Sequence, residues 1–210
     1  MFLHFLGAAA GGGYPQWNCA CGGCRAARSD PGRASLHASV AVSGDGMRWF
    51  LINATPDVHH QIAATPALHP GPEVRKTPVA GVLLTDAEFD HTLGLLILRE
   101  GSDLVVMGTE TVLATLTDDF PVRALLRDYA HVTWRVVEPG VPVPLDEGLS
   151  ATAVPVGHKR PRYATSSRPD DGAVVAYRLT DPRTGRVAVY APAVPSWDGP
   201  LVDAVADADC

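Results

Sequence analysis

Three of the four cysteines in the chain fall within six positions, in the run Gly13-Tyr14-Pro15-Gln16-Trp17-Asn18-Cys19-Ala20-Cys21-Gly22-Gly23-Cys24. The C-x-C-x-x-C spacing brings three thiolates to one turn, and thiolates are preferred ligands of a closed structural zinc site. Gly22 and Gly23 let the backbone wrap an ion without a Cβ clash. A disulfide framework is disfavoured: three close cysteines cannot pair among themselves, and the remaining one is Cys210, the last residue. The expectation is a zinc-binding turn over 19–24, with Zn2+ on Cys19, Cys21 and Cys24 serving structure rather than chemistry. The alternative is three free thiols, and the fourth zinc ligand is not evident.

A length of 210 residues fits one domain, 1–210, and a 46% hydrophobic content can fill its core. The net charge of −6 argues against nucleic acid or an anionic membrane surface as partner, since both select basic patches. No apolar run approaches the ~20 residues needed to span a bilayer. Met1–Ala10 is apolar but lacks a basic start and is broken by His4 and Gly7, so it reads as a strand entering a glycine turn rather than a signal peptide. Reduced, metal-binding cysteines fit a cytoplasmic location.

Short β-rich segments recur at Met1–Leu6, Ala38–Val42, Trp49–Asn53, Gly81–Thr85, Leu104–Met107, Val132–Val137, Leu149–Val156, Ala173–Leu179 and Arg186–Tyr190. Ser43-Gly44-Asp45-Gly46 and Asp181-Pro182-Arg183-Thr184-Gly185 read as hairpin turns. Helices are expected over Pro56–Thr65, His91–Arg99, Glu110–Leu116 and Val122–Tyr129, the second apolar nearly all round and therefore buried. Pro139–Pro144 and Lys159–Asp171 read as loops. Hairpins first, then strands alternating with helices, suggest an α/β fold of two sheets with helices outside.

Val82–Thr85 reads as a buried strand running into Asp86-Ala87-Glu88-Phe89-Asp90-His91-Thr92-Leu93-Gly94. Three carboxylates and an imidazole thus sit at the C-terminal end of a strand, where open α/β sheets place ligands. Residues 86, 88 and 90 alternate with Ala87 and Phe89, so one face of the loop is poised to converge on a metal. Helix capping by Asp86 or Asp90 is the competing reading.

The segment T-D-A-E-F-D-H-T-x-G resembles the metallo-β-lactamase-fold motif T-H-x-H-x-D-H-x-x-G, with Asp86 and Glu88 where two histidines usually stand. With the G-G-G-Y-P-Q-W-N-C-x-C run, the Asn53-Ala54-Thr55-Pro56-Asp57 loop, Leu95–Gly101, and Thr180–Gly185 followed by Tyr190-Ala191-Pro192, the chain resembles the coenzyme PQQ synthesis protein B family throughout. The resemblance implies a metallo-β-lactamase-like αββα sandwich and a role in pyrroloquinoline quinone (PQQ) biosynthesis. It further implies an oxidoreductase: an iron-dependent hydroxylase of the tyrosine ring in a small peptide-derived glutamate–tyrosine precursor, working beside other PQQ biosynthesis proteins. A carrier role, moving PQQ or its precursor to the periplasm by transport without catalysis, is the alternative. Family members run past residue 210, so the resemblance implies an incomplete second half, missing late histidine ligands and an inactive 210-residue form. The aspartate that bridges two metals in fold relatives is here Pro192 or a neighbour.

Within that resemblance Asp90 and His91 are the expected ligands of catalytic Fe2+, with Asp86 and Glu88 touching the metal or one shell behind. Carboxylate and imidazole ligands with open positions suit non-haem Fe(II) more than zinc. His158, just after a predicted strand, is a further candidate iron ligand, with a solvent-facing loop histidine as the alternative. His59 and His60 are adjacent on a helix and cannot face one way. His4, His37, His69 and His131 show no partner pattern. Arg160, Arg162, Tyr163 and Arg168 are placed either to clamp substrate carboxylates or simply in a solvated loop.

Overall fold

The computed structural model describes residues 1–101, 103–146, 148–166, 171–197 and 199–210. Strands β1 (Phe2–Gly7), β2 (Ser39–Ser43) and β3 (Trp49–Ile52) pair antiparallel, and β4 (Val79–Leu83), β5 (Leu104–Gly108) and β6 (Val132–Val136) extend the sheet in parallel, in the order β1-β2-β3-β4-β5-β6. The β2–β3 turn is set by Asp45, whose Oδ1 accepts from the backbone N–H groups of Met47 (2.7 Å) and Arg48 (2.9 Å). A second, antiparallel sheet runs β10-β9-β8-β7, from β7 (Val143–Asp146), β8 (Leu149–Gly157), β9 (Val174–Asp181) and β10 (Arg186–Tyr190).

Strand residues alternate between faces, and both faces of the first sheet are covered. Val40, Val42, Phe50, Ile52, Leu83 and Met107 pack into the second sheet's Leu149, Ala151, Val175, Tyr177 and Leu179. The opposite face, with Ala41, Leu51, Val82 and Val106, packs beneath helices. In chain order the helices are α1 (Gly22–Ser29), α2 (Val58–Ala64), α3 (Phe89–Thr92), α4 (Gly94–Ile97), α5 (Glu110–Asp118), α6 (Val122–Leu126) and α7 (Gly199–Val205). Helix α7 buries Leu201 and Ala204 and lies against β8 and β10 on the outside of the second sheet. The layers are therefore αββα. The Met1 ammonium, 2.8 Å from the buried Asp181 carboxylate, ties the first strand to the β9–β10 turn. Arg183 and that ammonium hold the Asp181 carboxyl well below the usual carboxylate range. No helix among the described residues is long and apolar enough to cross a membrane.

Three expectations need correction. The helix expected over His91–Arg99 is split into α3 and α4 with a 3-10 turn at Leu98–Glu100, and it is not buried all round: Ile97 is 44% exposed. The break lies where Gly94 meets the end of β3: Gly94 N–H donates to Ala54 O (2.9 Å) and Ala54 N–H to His91 O (2.8 Å). The Pro139–Pro144 stretch is not all loop, since β7 begins at Val143; as an edge strand it accommodates Pro144. Helices α1 and α7 were not anticipated, the first because glycines occupy its first two positions. Asp209 and Cys210 run beside β10, with Asp209 N–H on Val187 O and Val189 N–H on Cys210 O, each at 2.8 Å.

A Cβ at Gly94 would stand 2.3 Å from the Thr55 carbonyl oxygen. Gly94→Ala should therefore destabilise the protein by about 1–3 kcal/mol or more through overpacking, although Ala is the better helix former by about 1 kcal/mol. A melting temperature at or above the parent's would show that the α4–β3 approach is not this tight.

Candidate metal centre

Two clusters are built by consecutive stretches of chain. At the first, Cys21 caps the N-terminus of α1 and its Sγ accepts from Cys24 N–H at 3.5 Å, while Cys19 Sγ accepts from Cys21 N–H at 3.5 Å. The hydrogen bond from the Cys24 backbone, then the one from the Cys19 side chain, bring the Cys21 thiol down to about 7. Arg28 closes the turn from outside, donating to the carbonyls of Cys19 and Gln16, each at 2.6 Å. Among the described residues these cysteines are the one group of three or more His, Cys, Asp or Glu whose donor atoms all lie within 4.8 Å of one another. Tetrahedral zinc thiolates need sulfurs about 3.8 Å apart, so the turn fits three corners of a zinc site after a small contraction.

The second cluster grows from the end of β4. Asn53 Oδ1 accepts from Thr85 N–H at 3.0 Å, Thr85 O accepts from Val175 N–H at 2.8 Å, and Leu84 O accepts from the Tyr177 hydroxyl at 3.1 Å. These bonds fix the strand end between both sheets. Asp86 then turns inward, and both its carboxylate oxygens lie 2.8 Å from His91 Nδ1. Asp86 is 2% and His91 6% exposed. Burial opposes charge on both, but their mutual hydrogen bond and attraction outweigh it: the Asp86 carboxyl is held below its usual range and the His91 imidazole above. A proton on Nδ1, directed at Asp86, leaves Nε2 facing Asp90 Oδ2 at 3.8 Å.

The three carboxylates thus do not converge as the alternation suggested. Asp86 backs the imidazole, Asp90 stands by its other nitrogen, and Glu88 turns to Lys159 Nζ at 3.2 Å. All three, with His91, line one cleft of about 440 Å³. Its far wall is the small-residue segment Ala8–Gly11; a Cβ at Gly11 would lie 3.2 Å from the Asp90 carboxylate. As donors for a hard cation the cleft offers one imidazole nitrogen and a neighbouring carboxylate oxygen, with Asp86 fixing the ring tautomer. That is the carboxylate–histidine arrangement metal sites use to orient a ligand.

Other sequence candidates lie elsewhere. His158 is exposed and lines a separate cleft with Pro155, Pro195 and Leu201, so it is not brought to the Asp86–His91 cluster. His59 and His60 are exposed on α2. Arg160 binds Ser166 and Asp119, closing its own loop. The Tyr163 ring stacks on Phe89 at 4.6 Å and its hydroxyl donates to Ala87 O, so both side chains brace the cleft's surroundings. Arg162 is exposed, and Arg168 lies outside the described residues. Two contacts were missed. Lys159 on Glu88 joins residues far apart in sequence. His37, given no role, has its Nδ1 2.9 Å from Asp57 Oδ2, and its Nε2 lies 3.4 Å from Gly11 O on the cleft wall. Asp57 of the Asn53–Asp57 loop was the only sequence signal for that pair.

Cys21→Ser should lower zinc content and melting temperature together, because structural zinc contributes folding free energy. Zinc loss with unchanged melting would contradict a structural role. Asp86→Asn should weaken divalent-ion binding at His91 about 10–100-fold, the usual effect of removing a ligand's outer partner, without changing zinc on the cysteines. Chelator competition reads both, and unchanged affinity at His91 would show that Asp86 does not tune the ring.

Residues 48–210 match the β-lactamase superfamily domain. Over its full length the chain is 38% identical to coenzyme PQQ synthesis protein B of Stutzerimonas stutzeri, spanning 71% of that protein, and 39% identical to the Klebsiella pneumoniae protein of the same name, spanning 70%. Among solved structures, zinc-bound PqqB from Methylobacterium extorquens matches with a TM-score of 0.87 at 34% identity, over 100% of this chain and 71% of that one. A diphosphatase of the PhnP family shares the fold, with a TM-score of 0.62 at 24% identity over 85% of this chain and 61% of its own. A match across the whole of this chain at this identity, on the same metallo-β-lactamase fold, means that the chain belongs to the coenzyme PQQ synthesis protein B family of the β-lactamase superfamily.

Proposed function

We propose that the chain acts in PQQ biosynthesis as an iron-dependent hydroxylase of the tyrosine ring in a glutamate–tyrosine-derived precursor. The observation that carries this reading is the donor set: one buried imidazole with an outer carboxylate on Nδ1 and another carboxylate beside Nε2. Asp90 and His91 would hold Fe2+, with Glu88 on the same cleft wall and Asp86 behind the imidazole. Bound Fe2+ would relay electrons between dioxygen, the ring and an external two-electron reductant, which one hydroxylation consumes and whose second oxygen atom leaves as water; zinc, having no redox chemistry, cannot do this.

The surrounding residues have separable tasks. Asp86 keeps the His91 proton on Nδ1, so that Nε2 offers its lone pair to the cleft. Ala8, Ala9, Ala10 and Ala38 present only methyl groups, leaving room for a flat ring beside the donors. Zn2+ on Cys19, Cys21 and Cys24 would brace the segment that continues from the Ala8–Gly11 wall. Thiolates suit zinc, and an imidazole with carboxylates and open positions suits non-haem Fe(II), so the two donor sets favour different ions.

The experiment is anaerobic iron loading followed by oxygen-uptake measurement with the precursor and a two-electron reductant such as ascorbate, on the parent and His91→Ala. The parent should take up oxygen in a precursor-dependent way. His91→Ala should lose iron and uptake, by at least a hundredfold, while keeping zinc. Stoichiometric iron in the variant would overturn the assignment of His91 as a ligand; precursor binding without oxygen uptake in the iron-loaded parent would overturn the hydroxylase reading and is what a carrier would show.

A further inference from the structure

Three carboxylates line the cleft beside His91, and a substrate carrying carboxylates of its own would be repelled there unless a cation received it. Among the described lining residues, Lys159 is the one lysine or arginine. Its Nζ lies 3.2 Å from Glu88 Oε1 at the mouth, where its side chain is 78% exposed and that of Glu88 33%. An ion pair this open is held weakly and exchanges partners readily. The backbone beneath it is better fixed. Lys159 follows closely on β8, whose terminal Gly157 pairs with Val174, itself on the cleft lining. The opposite walls, Ala8–Ala10, Ala38 and Pro192–Ala193, carry no polar side chain to receive an anion.

We propose that Lys159 is the carboxylate anchor of the substrate: its ammonium leaves Glu88 and takes a carboxylate of an amino-acid-derived aromatic acid, holding the ring between the mouth and His91. The inference rests on the reading that the precursor occupies this cleft. Lysine suits the task because its three rotatable donors on a long stem follow a ligand's approach. The anchor selects acids over their neutral amides, which share shape and differ in charge.

The test uses 3-(4-hydroxyphenyl)propionate and its amide as probes, titrated calorimetrically into the metal-loaded parent, Lys159→Met and Lys159→Arg. The parent should bind the acid at least tenfold more tightly than the amide. Lys159→Met should bind both with the amide's affinity, and Lys159→Arg should restore most of the preference. Metal content and melting temperature should not change, since the side chain is exposed. Undiminished acid preference in Lys159→Met would overturn the proposal, because the carboxylate would then bind elsewhere, the metal included. Equal binding of acid and amide by the parent would overturn it too. The readout needs no turnover: acid preference lost in Lys159→Met while the parent takes up no oxygen leaves the anchor standing and only the hydroxylase reading fallen.

Discussion

The buried contact between Asp86 and His91 is the interaction on which the proposed chemistry depends. An ionised carboxylate or imidazolium this deep is costly alone and tolerable only when paired and hydrogen-bonded. The supporting bonds come from three places: Asn53 at the end of β3, Val175 and Tyr177 on β9, and the Glu88 N–H that donates to Asp86 Oδ1 at 2.9 Å. The pair is therefore in place only when the two sheets are packed on each other.

From that contact, residues close in sequence are sent to separate tasks. The backbone turn after β4 points Asp86 inward and Glu88 outward, and α3 carries His91 back over Asp86. Across the cleft, the Ala8–Gly11 segment that faces Asp90 continues along the chain to the cysteine turn at Cys19–Cys24. The His37–Asp57 contact steadies the same wall from below, through the Gly11 carbonyl.

Most strands and both quoted turns were legible because their patterns are local: short apolar, β-rich runs bounded by glycine, proline, asparagine or aspartate. The acidic loop and the cysteine turn were legible for the same reason. What was not legible depended on tertiary contact. Nothing in Thr92–Leu98 announces that Gly94 abuts Ala54 and Thr55 and splits the helix. Pro144 suggested a loop because edge position is not written in a single segment. The sequence placed Asp86, Glu88 and Asp90 on alternating positions, but it could not tell which carboxylate faces Nδ1, which faces Nε2 and which faces Lys159. Partners of that kind, like His37 with Asp57, are chosen by the packed sheets.

The most direct test of the account is anomalous diffraction at the iron and zinc absorption edges, from crystals grown anaerobically with both metals. Iron should lie within bonding reach of His91 Nε2 and Asp90, with Asp86 on Nδ1 and outside bonding distance, and zinc should lie among Cys19, Cys21 and Cys24. Iron bound through Asp86, iron at the cysteines, or no metal beside His91 would contradict it.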